Sequence, residues 1–103
     1  MLSFFTNMFS GPDLTEYLDR KAQIIDVRTP GEFAQGHAEG SVNIPLQSLG
    51  ANLRKLDTSR PVITCCRSGN RSGIAARQLT QAGFEAVNGG PWQQVAKALT
   101  NKQ

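Results

Sequence analysis

The amino-acid sequence reads as one α/β domain, with a parallel sheet and helices packed on both of its faces. Three observations point there. Two apolar runs, "QIIDV" at 23–27 and "PVITC" at 61–65, are nearly unbroken, as strands buried on both faces must be. Helical patterns separate the strand-like runs along the chain, which is the order that builds a parallel sheet. The 103 residues suit one compact domain, with residues 1–12 as an N-terminal segment laid against it.

The elements follow in order. Asp13 with Glu16 three residues on is a helix start, and a short helix runs to about Leu18. The first buried strand covers 23–27. Thr29-Pro30-Gly31-Glu32 is a capping box with proline at the first helical position. It opens a short helix near 30–35, which Gly36 ends. "GSVNIP" at 40–45 reads as a short strand. Leu46, Leu49, Leu53 and Leu56 fall at helical spacing. The second buried strand is 61–65. A helix is expected over 71–82, with Ile74, Ala75, Leu79 and Ala82 inward and Gly83 as its stop. "FEAV" at 84–87 is a strand, and a last helix begins at Pro91 and runs to 101. Ligands of open parallel sheets sit beyond the carboxyl ends of the strands. Cys66 falls there, directly after "PVITC".

Composition narrows the function classes. The net charge of +3 comes without any Lys/Arg run, so it argues for small anionic ligands rather than nucleic acid. Two adjacent cysteines and one histidine make neither a disulfide framework nor a zinc site. No metal and no organic cofactor are expected. Free thiols indicate a reducing compartment, and a cytoplasmic location is expected. The start, "MLSFFTNMFSGPD", lacks a basic region, is interrupted at Thr6 and Asn7, and is too short to span a bilayer. Phe4, Phe5 and Phe9 are expected to pack onto the domain, with no membrane role. A monomer or weak homodimer is expected.

The chemistry concentrates in "TCCRSGNRS", 64–72. Counted from Cys65, five residues separate a cysteine from Arg71, the spacing of a cysteine phosphatase or arsenate reductase. Counted from Cys66, the loop is one residue shorter. Side chains alternate along a strand, so Cys65 reads as a small buried hydrophobe and Cys66 as the first residue of the loop. That loop holds what a thiolate needs. Lowering a thiol pKa by about two units takes about 2.7 kcal/mol. A helix beginning near Arg71 offers roughly 0.3–1 kcal/mol, or up to about 2 if buried. Inward amides add roughly 1.5–3 kcal/mol each through charge-assisted hydrogen bonds. Gly69 lets the backbone curl so that amides converge. Arg67 and Arg71 add positive charge, and the Ser68 and Ser72 hydroxyls can donate to the same centre.

At this point the sequence resembles the single-domain rhodanese-like sulfurtransferases. Three stretches carry the resemblance: "IIDVRTPGEFAQGHAEGSVNIPL" at 24–46, "CRSGNRS" at 66–72 and "NGGPWQQV" at 88–95. It extends from about Asp13 to Ala98. It implies a twisted, parallel, five-stranded sheet flanked by helices on both faces. It also implies that Cys66 takes a sulfane sulfur from a donor such as thiosulfate, forms a persulfide, and passes the sulfur to cyanide, a thiol or a protein cysteine. The six-residue loop of the family matches Cys66 through Arg71. The amides of Arg67, Ser68, Gly69, Asn70 and Arg71 are then expected to cradle the sulfur. Arg67 would attract the anionic donor, and Arg71 would orient the loop and bind donor oxygens. Asp26 and Arg28 would form a salt-bridged support for the loop, and Ser72 would be a further supporting residue. His37 is expected in a structural turn, Trp92 in the core, and Glu32 as the capping-box acid. Two other readings stay open: a phosphatase or arsenate reductase using Cys65 and Arg71, and a non-catalytic binding or sensing module.

Overall fold

The computed structural model describes residues 13–102. The expected packing of Phe4, Phe5 and Phe9 lies outside the described residues. The Asp13 side chain accepts from the Thr15 amide at 3.1 Å and starts helix α1, Leu14–Asp19. Strand β1, Gln23–Asp26, turns through Thr29 into helix α2, Pro30–Ala34. Both halves of the Thr29/Glu32 capping box are formed, which offsets the short length of this five-residue helix. Strand β2 is Val42–Asn43 and strand β3 is Val62–Cys66. Helix α3 is Asn70–Gln81, strand β4 is Ala86–Pro91 and helix α4 is Trp92–Lys102.

All strand pairs are parallel, in the order β2-β1-β3-β4. Among the described residues the sheet therefore has four strands, not the five that the resemblance implies. The leucine stripe at 46–56 also differs from expectation. It forms two 3-10 segments, Leu46–Ser48 and Gly50–Lys55. Steps of three and four residues satisfy a 3-10 turn as well as an α-helix, and only Leu49 of the stripe is fully buried. The inward face of α3 is made of Ser72, Ala75, Ala76 and Leu79. Ile74 is 47% exposed, and Ala82 is exposed as well. Small residues face the sheet because the helix lies close to it.

The core divides into two layers, one on each face. Ile25, Val27, Val62 and Cys66 join Leu49, Leu79 and Phe84 on one side. Ile24, Ile63 and Cys65 join Leu14, Leu18 and Val95 on the other. The strands must be apolar on both faces because both are covered.

Candidate active site

The site forms at the carboxyl end of β3. Strand alternation sends the adjacent cysteine side chains to opposite faces, Cys65 toward α1 and α4 and Cys66 toward α3. The strand runs one residue further than the sequence suggests, so Cys66 is its last residue. Gly69, with φ of 103°, turns the chain into α3. A left-handed backbone of this kind is costly for any side chain other than glycine, with asparagine and aspartate the mildest exceptions.

The turn aims main-chain donors at one atom. The Gly69 amide lies 3.0 Å from Cys66 Sγ and the Ser72 amide 3.4 Å from it. The Ser72 hydroxyl oxygen is 3.3 Å away. The start of the 12-residue α3 adds its positive dipole end. Burial pushes the Cys66 thiol up, but the Ser72 hydroxyl and the amides of Ser72, Gly69 and Ser68 outweigh it and hold the thiol below its ordinary value. Cys65 goes the other way. Burial first, and then the negative charge of Asp26, push its thiol up to about 12.

Asn88 on β4 ties the loop to the sheet. Its Nδ2 donates to the Gly69 carbonyl at 3.1 Å. Its Oδ1 accepts from the Ser72 hydroxyl at 2.7 Å and from the Gly90 amide at 2.9 Å. Ser72 has one hydroxyl proton, so it cannot donate to Asn88 and to a Cys66 thiolate at once. In the thiol state the S–H can donate to Ser72 and Ser72 to Asn88. In the thiolate state the hydroxyl turns to sulfur. Thr64 Oγ1 donates to the Ser72 carbonyl at 2.7 Å, a second tie between sheet and loop.

The strand pairing is bent to make this contact. Thr64 pairs with Asn88 and Cys66 with Pro91, so β4 carries one extra residue, a bulge. Gly89 sits in that bulge. A Cβ there would lie 2.7 Å from the Thr64 carbonyl oxygen and 2.8 Å from a Val95 methyl.

Asp26 and Arg28 form a buried ion pair. Arg28 Nη2 donates to Asp26 Oδ2 at 2.7 Å, and Arg28 Nε is shared between both carboxylate oxygens. Arg28 Nη1 also donates to the carbonyl of Glu32, within α2, and Nη2 to that of Gly36, just beyond it. Among the described residues the pair makes no hydrogen bond to the loop at 67–72. It holds α2, and α2 presents Glu32. Glu32 in turn accepts from Arg71 through both oxygens, at 2.8 and 3.0 Å. The Arg71 guanidinium, followed by the Thr29 amide, holds the Glu32 carboxyl down to about 2.

A groove of about 430 Å³ adjoins the loop, walled by Arg28, Glu32, Gly36, Arg67 and Trp92 among others. Arg67, Ser68 and Asn70 are exposed. Trp92 is half-buried, packing against the core while also facing the groove. His37 stacks on Phe33 and bonds its carbonyl at 2.8 Å, a turn-stabilising arrangement. Cys66 as a residue is fully buried, and its sulfur lies under the loop among polar donors.

Sequence reasoning alone misses two participants. Asn88 has no local signal beyond its place ahead of two glycines. The capping box accounts for Glu32 Oε1 but not for the reach of Arg71, 39 residues away.

The geometry matches known proteins. The model of the rhodanese-like domain matches residues 10–90. The uncharacterized protein YqhL of Bacillus subtilis is 47% identical over 68 residues, which are 66% of this chain and 54% of that protein. The chain thus spans about half the length of that curated relative. Reduced CoADR-RHD from Bacillus anthracis superposes with a TM-score of 0.71 at 30% identity, over 87% of this chain and 16% of that one. A rhodanese with anions from E. coli superposes with a TM-score of 0.68 at 31% identity, over 73% of this chain and 92% of that one.

Proposed function

This chain belongs to the rhodanese-like domain family, and on that premise we propose that it is a sulfurtransferase with Cys66 as its nucleophile. One observation carries the reading: Cys66 Sγ is met by the Gly69 and Ser72 amides and by the Ser72 hydroxyl at the start of a helix. The same positive loop that favours a thiolate also favours the terminal sulfur of a persulfide, an anion one S–S bond, about 2 Å, further out.

The thiolate attacks the outer sulfur of a donor such as thiosulfate. A new S–S bond forms on Cys66, the donor S–S bond breaks, and sulfite departs with the electron pair. A cyanide, thiol or protein-cysteine acceptor then attacks the outer sulfur, and the Cys66 thiolate is the leaving group. Arg67, exposed at the groove, attracts the anionic donor. The reaction needs Cys66 as a free thiol, which fits a reducing compartment such as the cytoplasm. No helix among the described residues is long and apolar enough to cross a membrane.

A phosphatase built on Cys65 and Arg71 is not favoured. The Cys65 side chain faces away from the loop, and its thiol is pushed up to about 12. A nucleophile must be ionised and face its substrate.

Mass spectrometry after exposure to thiosulfate tests the proposal. A gain of one sulfur atom, mapped to Cys66, is the expected result. No gain with any sulfane donor, or a gain mapped to Cys65, contradicts it and returns the domain to a non-catalytic reading.

A further inference from the structure

Arg71 is not free to serve a donor. Its two terminal nitrogens donate to the two oxygens of Glu32, a two-pronged pair that fixes the plane of the guanidinium. Glu32 Oε1 also accepts from the Thr29 amide and hydroxyl. The carboxylate is therefore anchored on α2 and draws Arg71 toward it. Arg28 is committed to Asp26 in the same way. Among the described residues this leaves Arg67 as the guanidinium of the groove with no ion pair. The other two guanidiniums are each matched by a carboxylate, so Arg67 is the one cation left to meet a donor's charge.

Gln35 and Gln93 complete the wall together with one aromatic face, that of Trp92. The Trp92 indole faces the groove, with the Arg28 guanidinium 5.2 Å from the centre of its ring. Gly36 keeps the space beside the ring open, since a Cβ there would come within 3.3 Å of it. One guanidinium without an ion pair, one carboxylate in the wall and one aromatic face suit an organic body with a single negative charge. A small dianion would meet the Glu32 carboxylate with its second charge.

We propose that Glu32 is a charge-selecting residue that turns this site toward singly charged sulfur donors with an organic body, persulfides and thiosulfonates, over the thiosulfate dianion. The proposal rests on the sulfur-transfer reading and names its donor class. With a thiosulfonate, the Cys66 thiolate attacks the terminal sulfur, an S–S bond forms on Cys66, and the bond to the sulfonyl sulfur breaks. The sulfinate leaves with the electron pair. With an organic persulfide the same attack releases a thiolate. Each step conserves charge and needs no oxidant.

Two donors with the same kind of terminal sulfur isolate the charge: thiosulfate, a dianion, and methanethiosulfonate, a monoanion. With cyanide as acceptor, kcat/KM is measured for both in the full chain and in Glu32→Gln. Glutamine keeps an oxygen for Thr29 and removes the charge. The unaltered chain is expected to prefer methanethiosulfonate. In Glu32→Gln the thiosulfate-to-methanethiosulfonate ratio is expected to rise roughly tenfold, the scale of one unit charge beside another at partly solvated range. The ratio is taken within one protein, so loss of folded material does not mimic it. An unmoved ratio, with Cys66 persulfidated by both donors, overturns charge selection alone. Failure of every donor to place sulfur on Cys66 overturns the sulfur-transfer reading and this one with it.

Discussion

Cys65 and Cys66 share a peptide bond and a fully buried environment, yet the fold gives them opposite chemistry. Cys65 points into an apolar layer beside the Asp26 carboxylate, and its thiol is held protonated. Cys66 points toward α3, where two amides and a hydroxyl meet its sulfur. Burial costs both thiolates free energy. Only at Cys66 do donors exceed that cost. Exposure is therefore a poor guide to which cysteine reacts. The decisive quantity is the count of donors aimed at the sulfur, set by strand alternation and one left-handed glycine.

The comparison breaks most directly by mutation. Cys66→Ser is expected to abolish sulfur transfer, with a loss of about a thousandfold or more, because the attacking sulfur is gone. Cys65→Ser is expected to keep activity within about threefold, since it touches neither donor nor acceptor. Assays of both variants with thiosulfate and cyanide check this. Equal loss in the two variants would end the distinction between the faces.

The bulge on β4 offers the next largest effect. Gly89→Ala forces a methyl against the Thr64 carbonyl, which is main chain and cannot swing away. A loss of about 3 kcal/mol or more is expected, read by denaturant unfolding. The strain falls beside Asn88, so activity is expected to fall in the fraction that still folds. Unchanged stability would mean that β4 does not approach β3 as described.

Much of this architecture was legible from residue patterns. The runs at 23–27 and 61–65 announced strands covered on both faces, and "TPGE" announced a capped helix, because these signals are local. Alternation alone placed Cys65 and Cys66 on different sides. The less legible features depend on contacts between distant residues. The stripe at 46–56 has leucines at spacings that two helix types share, and packing under β1 and β3 chose the tighter one. The inward face of α3 leaves out Ile74, because proximity to the sheet favours Ser72 and Ala76 over a bulkier side chain. Asn88 and the Glu32–Arg71 pair join segments 16 and 39 residues apart, and nothing in either segment announces the other. The site is thus readable at its nucleophile and opaque at its braces.

Thiolate titration of the single-cysteine variants tests the central claim most directly. In Cys65→Ser, the remaining Cys66 is expected to ionise below the ordinary thiol value of 9.0. In Cys66→Ser, the remaining Cys65 is expected to stay protonated until about 12. A Cys66 that ionises at or above 9.0 would mean that the ring of amides does not outweigh burial, and the account of this site would be wrong.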